Sequence, residues 1–201
     1  MVRETHSAPH ALGDDMRQLR KARGLTLTDL SDLCGKSVSF LSKIERDLAN
    51  PSLTALQEIA AALNVSTGWF FQNERPVPEE ERAFVVRADN RRRLTYAPAS
   101  STDFWGFEDY LLSANLDGDL VMAMSRYAPG SSTGDDLYTH KGEEAGFVLS
   151  GTFELTLGEQ VFLLNAGDSF SFPSTTPHRF HNPGTVETII IWANTPISLK
   201  P

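Results

Sequence analysis

Apolar residues change their spacing once along this chain, and the change divides it into two folding units. Up to Phe71 they recur every three or four residues. Leu12, Met16 and Leu19 mark one stripe, Leu27, Leu30 and Leu33 a second, and Val38, Leu41 and Ile44 a third. Leu53, Leu56, Ile59, Ala60 and Leu63 mark a fourth, and Trp69 and Phe70 suggest a short fifth turn. This spacing puts apolar side chains on one face of an α-helix. Beyond Ala83 the pattern shifts to period two in short β-rich runs, at 120–124, 145–149, 152–157, 160–164, 169–172 and 188–192. Gly, Pro, Asn and Asp turns separate them, which predicts a β-sandwich or barrel. Between the two, residues 72–82 read QNERPVPEEER, a linker composition. The expected organisation is a tail over 1–11, a helical domain over 12–71, a linker over 72–83 and an all-β domain over 84–201.

No apolar run approaches the ~20 residues that span a bilayer, and the polar N-terminus lacks a secretion signal. The one cysteine, Cys34, excludes an intramolecular disulfide and suits a reducing cytosol. Its small apolar side chain is expected in the core. Net charge is −8, which argues against a nucleic-acid partner. The charge is uneven, however. Residues 1–75 carry 9 Lys/Arg and 9 Asp/Glu, and residues 76–201 carry 9 and 17. The helical half is therefore neutral.

Residues 25–45 read LTLTDLSDLCGKSVSFLSKIE. Two short amphipathic stretches flank a turn at Gly35. Thr26 with Asp29 forms a capping-box pair, Ser37 can cap the third helix, and Ser52 the fourth. This is the layout of a helix-turn-helix, which sets its second helix in the DNA major groove. Val38, Leu41 and Ile44 mark the inward side of that helix and leave Ser39, Phe40, Ser42 and Lys43 outward. Ser39 and Lys43 can hydrogen-bond bases, and Phe40, with Val38 at the edge, can meet a thymine methyl. Lys36, Arg46 and Thr28 suit phosphates, with Ser37 at the helix start beside them. The alternative, a five-helix bundle for protein contacts only, gives the outward face no purpose. Residues 12–71 resemble the XRE, or lambda-repressor-like, helix-turn-helix family in LRKARGLTL, LSKIER and NPSLTAL. The resemblance implies a five-helix domain and a structural ion pair between Arg20 and Glu45.

In the β half, YTHKGEEAGFVLSG over 138–151 and GDSFSFPSTTPHRFHN over 167–182 stand out. His140 and Glu144 lie four apart, and His178 comes from a distant strand. Two histidines and a carboxylate can form a facial site for Fe(II) or another divalent metal. Both segments resemble the paired motifs of the cupin superfamily, which implies a double-stranded β-helix barrel. His140, Glu144 and Gly151 fit the first motif. Gly167, Pro173, His178 and Asn182 fit the second, with Thr175 where Gly is frequent. Tyr138 replaces the usual first His, as a weak fourth ligand or a donor to an organic effector. Three readings stay open for His140, Glu144 and His178: a divalent metal site, a metal-free effector pocket, or a hydrogen-bonded core network. Strand alternation turns Glu143, Lys141 and Arg179 away from the pocket, and His181 is expected to face outward. Asp135, Asp136, Glu143 and Glu144 are either solvated charges or an attraction for a cationic effector such as a polyamine. Arg91, Arg92 and Arg93 read as an exposed start of the β domain, with DNA phosphates as the alternative.

The order of parts resembles bacterial transcriptional regulators of the XRE–cupin class, especially the putrescine-utilisation repressor branch. The resemblance implies a cytoplasmic homodimer that reads a near-palindromic double-stranded DNA operator and answers to a small-molecule effector or metal. The alternative is a mononuclear non-haem iron enzyme using His140, Glu144 and His178, similar in layout to the epoxidase that forms the fosfomycin ring.

Overall fold

A computed structural model of the chain describes residues 12–71, 78–95 and 106–199. The expected tail and the first half of the linker lie outside these residues. The helical half holds α1 (Leu12–Ala22), α2 (Leu27–Cys34), α3 (Val38–Ile44) and α4 (Leu53–Ala62). The expected fifth helix is instead a 3-10 turn, Thr67–Phe71, with Trp69 N–H donating to Ser66 O at 3.0 Å. Its two inward aromatics, Trp69 and Phe70, are adjacent, so one tight turn buries both and leaves Phe71 in solvent.

The helix boundaries follow the caps. Thr26 Oγ1 accepts from Asp29 N–H, and Asp29 accepts from Thr26 N–H at 2.8 Å, so the capping box forms. Gly35 ends α2 at φ 67°, a left-handed position that favours glycine. Ser37 and Ser52 cap α3 and α4 through the N–H groups of Phe40 and Ala55. Met16, Leu19, Leu30, Leu41, Ile44, Ile59 and Leu63 fill the core, and Cys34 is buried with them. Three residues of the apolar stripes, Leu33, Val38 and Leu53, stand exposed. Each of these helices has only two or three turns, so Leu30 with Cys34, Leu41 with Ile44, and Leu56 with Ile59 already cover the core face. Arg20 binds Glu45 through two bonds, Nε–Oε1 at 2.6 Å and Nη2–Oε2 at 2.8 Å, both buried. This pair ties α1 to the end of α3.

The β half holds β1 (Arg93–Thr95), β2 (Phe107–Leu111), β3 (Val121–Tyr127), β4 (Glu143–Ser150) and β5 (Thr152–Leu157). It continues with β6 (Gln160–Asn165), β7 (Ser169–Pro173), β8 (His178–His181) and β9 (Thr188–Thr195). They pair antiparallel in two sheets, ordered β1-β2-β3-β9-β4-β7 and β6-β5-β8. The sheets meet at Tyr127, which stacks on Phe107 at 4.8 Å and meets the Phe153 ring at 5.4 Å. The expected barrel does not close among the described residues. The free side of β8 meets only two isolated bridges, Ser132↔His181 and Tyr138↔His178, where a closed barrel needs a continuous ladder.

Of the arginine triplet only Arg93 is exposed as expected, at the start of β1, while Arg91 and Arg92 are half-buried. Arg92 binds the buried Asp15 of α1 at 3.0 and 3.3 Å and lies 4.6 Å over the Trp69 ring. Arg93 pairs with Glu108, and Arg91 approaches the Met124 sulfur. Further bonds join the halves, among them one from Arg23 Nη1 to Leu199 O. Leu116 N–H donates to Gln18 Oε1 at 3.0 Å, and Leu199 N–H donates to Ala22 O at 2.9 Å.

Removing one partner of a buried ion pair leaves the other charge stranded, at a cost of about 3–5 kcal/mol. Arg20→Ala should therefore lower the denaturation midpoint of the helical half, followed by far-UV circular dichroism in urea. The double variant Arg20→Met with Glu45→Leu should recover most of the loss. Equal midpoints for Arg20→Ala and the wild-type chain would show that the pair does not hold α1 to α3.

Candidate functional site

The surface expected to face DNA is carried by α3. Ser39 and Lys43 are exposed there, with Val38 beside them at the helix start. Phe40 departs from the expected outward set: it is half-buried and packs on the helical core. Ser42 is also half-buried, and its carbonyl accepts from Arg46 Nε at 3.0 Å, which holds the exposed Arg46 against the helix. Ser37 caps α3 through its hydroxyl. Lys36 sits 2.5 Å from Glu58 of α4, so much of its charge is balanced within the protein. Thr28 is exposed in the first turn of α2. The Asp29 carboxylate already lies at that helix start, and the Thr26 hydroxyl bonded to it holds its pKa below the ordinary carboxylate value.

The second site lies between the sheets of the β half. Glu144 comes from β4, His178 from β8 and His140 from the loop before β4. One ligand atom from each lies within 4.8 Å of the others, and all three side chains are buried. His140 Nε2 is 3.3 Å from Glu144 Oε2, and His178 Nε2 is 4.0 Å from the same oxygen. The far side of each ring faces a carbonyl. His178 Nδ1 donates to Thr176 O at 2.8 Å, and His140 Nδ1 donates to Lys141 O at 3.1 Å. A carbonyl can only accept, so Nδ1 of each ring carries a proton, and a neutral His178 turns a bare Nε2 lone pair toward Glu144. Burial, the largest influence, pushes the His178 pKa down and favours that neutral form. His178 Nε2 is buried and has no hydrogen-bond partner. The His178 lone pair and the Glu144 carboxylate therefore face one another with no donor between them, an arrangement that a cation would relieve, while His140 Nε2 lies at hydrogen-bond distance from the same carboxylate oxygen. Two imidazoles and a carboxylate, each imidazole anchored by a carbonyl behind it, fit the donor set of a divalent metal.

Tyr138 joins this cluster through its ring, 4.2 Å from that of His178, and two backbone hydrogen bonds of 3.0 Å pair the two residues. Lys141 is exposed, and Arg179 reaches the Asp135 carbonyl at 3.4 Å, so both leave the pocket as alternation requires. Glu143, Asp135 and Asp136 are exposed. His181 is half-buried with Nδ1 3.4 Å from Glu154. Asn182 is structural: its Nδ2 donates to the carbonyls of Tyr127, Ala128 and Val186.

Sequence reasoning missed the opposite wall. Asp109 of β2 is buried in the pocket and accepts from Ser125 Oγ, which in turn accepts from Trp192 Nε1 at 2.6 Å. Asn194, Ser198 and Leu199 complete that side. The available signal was the alternation Phe107, Asp109, Leu111, which puts Asp109 on the buried face between two core residues. The cavity, open on one side, measures about 30 Å3, enough for a water or two.

Comparison with known proteins agrees with both halves. Residues 16–70 match the helix-turn-helix family and residues 123–194 the cupin domain family. The transcriptional regulator PuuR of Escherichia coli is 30% identical over 186 residues, covering 92% of this chain and 95% of that protein. The regulator SinR of Bacillus licheniformis is 34% identical over 101 residues, covering 49% and 90%. Among solved structures, an HTH_3 family transcriptional regulator from Vibrio cholerae covers 92% of this chain and 94% of its own, at 22% identity and TM-score 0.43. The hydroxypropylphosphonic acid epoxidase of S. wedmorenis covers 94% and 100%, at 21% identity and TM-score 0.46. With its helix-turn-helix, its cupin half and a PuuR match across nearly the whole length, the chain belongs to the family of helix-turn-helix transcriptional regulators that carry a C-terminal cupin domain.

Proposed function

We propose that this DNA-binding regulator uses its cupin half as a sensor, with a divalent metal held by His140, Glu144 and His178. One observation carries the reading. One nitrogen from each of two imidazoles converges on one carboxylate, and the buried His178 Nε2 has no hydrogen-bond partner. A 2-His-1-carboxylate set suits Fe(II) first and Mn(II) or Zn(II) after it. A bound ion would supply positive charge beside Glu144 and an open position for a small ligand. The cavity of about 30 Å3 has room for an ion and a water-sized ligand.

A second reading has its own support. Asp109 and Glu144 place two buried carboxylates in a pocket also lined by Tyr127, Tyr138 and Trp192. Carboxylates and aromatic faces together suit an organic cation such as a polyamine, which would have to widen the cavity. An epoxidase-like reaction has less support. Among the described residues the pocket wall holds no Lys or Arg to bind a phosphonate.

At the DNA end, Ser39, Ser42 and Lys43 read base edges, Val38 meets a thymine methyl, and Thr28, Lys36, Ser37 and Arg46 hold phosphates. Phe40 supports α3 from behind. Two copies reading half-sites about 34 Å apart need a homodimer. The outer face of the large sheet, where Met122, Phe147 and Leu149 are exposed, suits self-association. Among the described residues no helix is long and apolar enough to cross a membrane, in keeping with a cytoplasmic regulator.

Elemental analysis of protein purified without a metal-affinity step tests the sensor. About one equivalent of a divalent metal per chain is expected, falling to trace in His178→Ala. A wild-type protein with only trace metal that also fails to take up Fe(II), Mn(II) or Zn(II) rejects the metal and leaves the polyamine reading. For the reader, Lys43→Ala should weaken operator binding by about 1–3 kcal/mol and relax specificity at one base pair. Unchanged affinity on an operator selected from random duplexes would remove Lys43 from the contact set.

A further inference from the structure

The pocket wall contains one segment that belongs to both halves of the molecule. Beyond the end of β9 the chain crosses the pocket as Ser198 and Leu199. The other wall residues outside strands are fixed by backbone hydrogen bonds within the β half. Thr133 N–H donates to Phe180 O, Tyr138 pairs with His178, and His140 N–H donates to Ser174 O. Ser198 and Leu199 are held differently. The buried Asn194 side chain clasps Ser198 from both sides: Nδ2 donates to Ser198 O at 2.8 Å, and Oδ1 accepts from Ser198 N–H at 3.1 Å. The next residue is fastened to the helical half. Leu199 N–H donates to Ala22 O at 2.9 Å, and Leu199 O accepts from Arg23 Nη1 at 2.5 Å. Arg23 also reaches Asn64 O, beyond α4, at 3.3 Å.

Both ends of this segment meet functional parts. Asn194 is the direct cross-strand partner of Glu144 in the β4–β9 ladder. The loop that carries His140 lies against the same segment. At Gly142, φ +95°, a Cβ would stand 1.8 Å from Thr195 O, so that approach requires glycine. At the other end, Ala22 closes α1 two residues after Arg20, whose guanidinium holds Glu45 at the end of α3.

We infer that residues 194–199 are a strap through which occupancy of the cupin pocket repositions the DNA-reading helices. The inference rests on the reading of this pocket as a sensor and adds the route by which it acts. A cavity of about 30 Å3 takes a polar organic effector only if a wall gives way. Ser198 and Leu199 are the wall residues whose holding bonds are one side-chain clasp and a set of contacts to the other domain. A change at Glu144 reaches the clasp first, then the end of α1, then the Arg20–Glu45 pair and α3. Coupling links two ends, and the test reads both at once.

Hydrogen exchange and operator affinity are measured on the full-length protein with no metal or effector added, using an operator selected by the wild type from random duplexes. Asn194→Ala opens the clasp, and Arg23→Gln loosens the helical end. Each should raise exchange at least fivefold at residues 19–23 and 197–199 and change operator affinity at least threefold, while circular dichroism stays that of the folded chain. In a second arm Mn(II) is added, and the wild type should show altered exchange at residues 19–23 that Arg23→Gln does not show. If both variants match the wild type in exchange and affinity, the strap is overturned. It is equally overturned if Mn(II) binds the wild type with no change at residues 19–23. A protein that takes up no metal would remove the metal-sensor reading and leave the first arm to decide the strap.

Discussion

Helix α1 is held from two sides by buried charge, and the arrangement of both halves depends on it. Arg20 fixes it to the end of α3, and Asp15 fixes it to Arg92 of the β half. Buried ion pairs are costly to form and costlier to break singly, because the partner left behind has lost its water. α1 cannot rotate or slide without separating at least one pair. That makes it a stiff connection between the pocket and the reading helix. The backbone bond from Leu199 to Ala22 and the side-chain bond from Gln18 to Leu116 lie along the same helix.

The overall negative charge fits this division of labour. In the proposed reading, steering toward DNA falls to the exposed cations Lys43 and Arg46, and to Lys36 only in part because Glu58 sits against it. The acidic half holds the buried carboxylates Asp109 and Glu144, which favour a cation inside the cupin pocket. Both the metal and the polyamine readings place positive charge beside Glu144. They differ in whether the imidazoles donate lone pairs or only line the wall.

Much of this was legible in the sequence for identifiable reasons. The caps at Thr26, Ser37 and Ser52 and the turn at Gly35 are local chemistry, and local chemistry reads directly from adjacent residues. The His140, Glu144 and His178 cluster was legible because the cupin motifs preserve order and spacing across distant strands. What failed depends on partners remote in sequence. Nothing in three consecutive arginines announces that the middle one meets Asp15, 77 residues away. Asp109 sits in FEDYL, where the acidic residues mask a strand whose inward face includes a carboxylate. Periodicity gave the faces of the short helices but overfilled them, so Leu33, Val38 and Leu53 ended in solvent and Phe40 turned partly inward. Barrel closure is a property of ladders between distant strands, and no local pattern in the strand that begins at His178 reports which edge it leaves unpaired.

The central claim is that the state of the cupin pocket sets the affinity of the helix-turn-helix for DNA. It is tested most directly by comparing operator affinity for one preparation stripped of metal by chelation and the same preparation reloaded with one equivalent of Fe(II) under anaerobic conditions. The account predicts a change of about tenfold or more, equal to roughly 1.4 kcal/mol of coupling, that disappears in His178→Ala. Equal affinities before and after stoichiometric loading would contradict it.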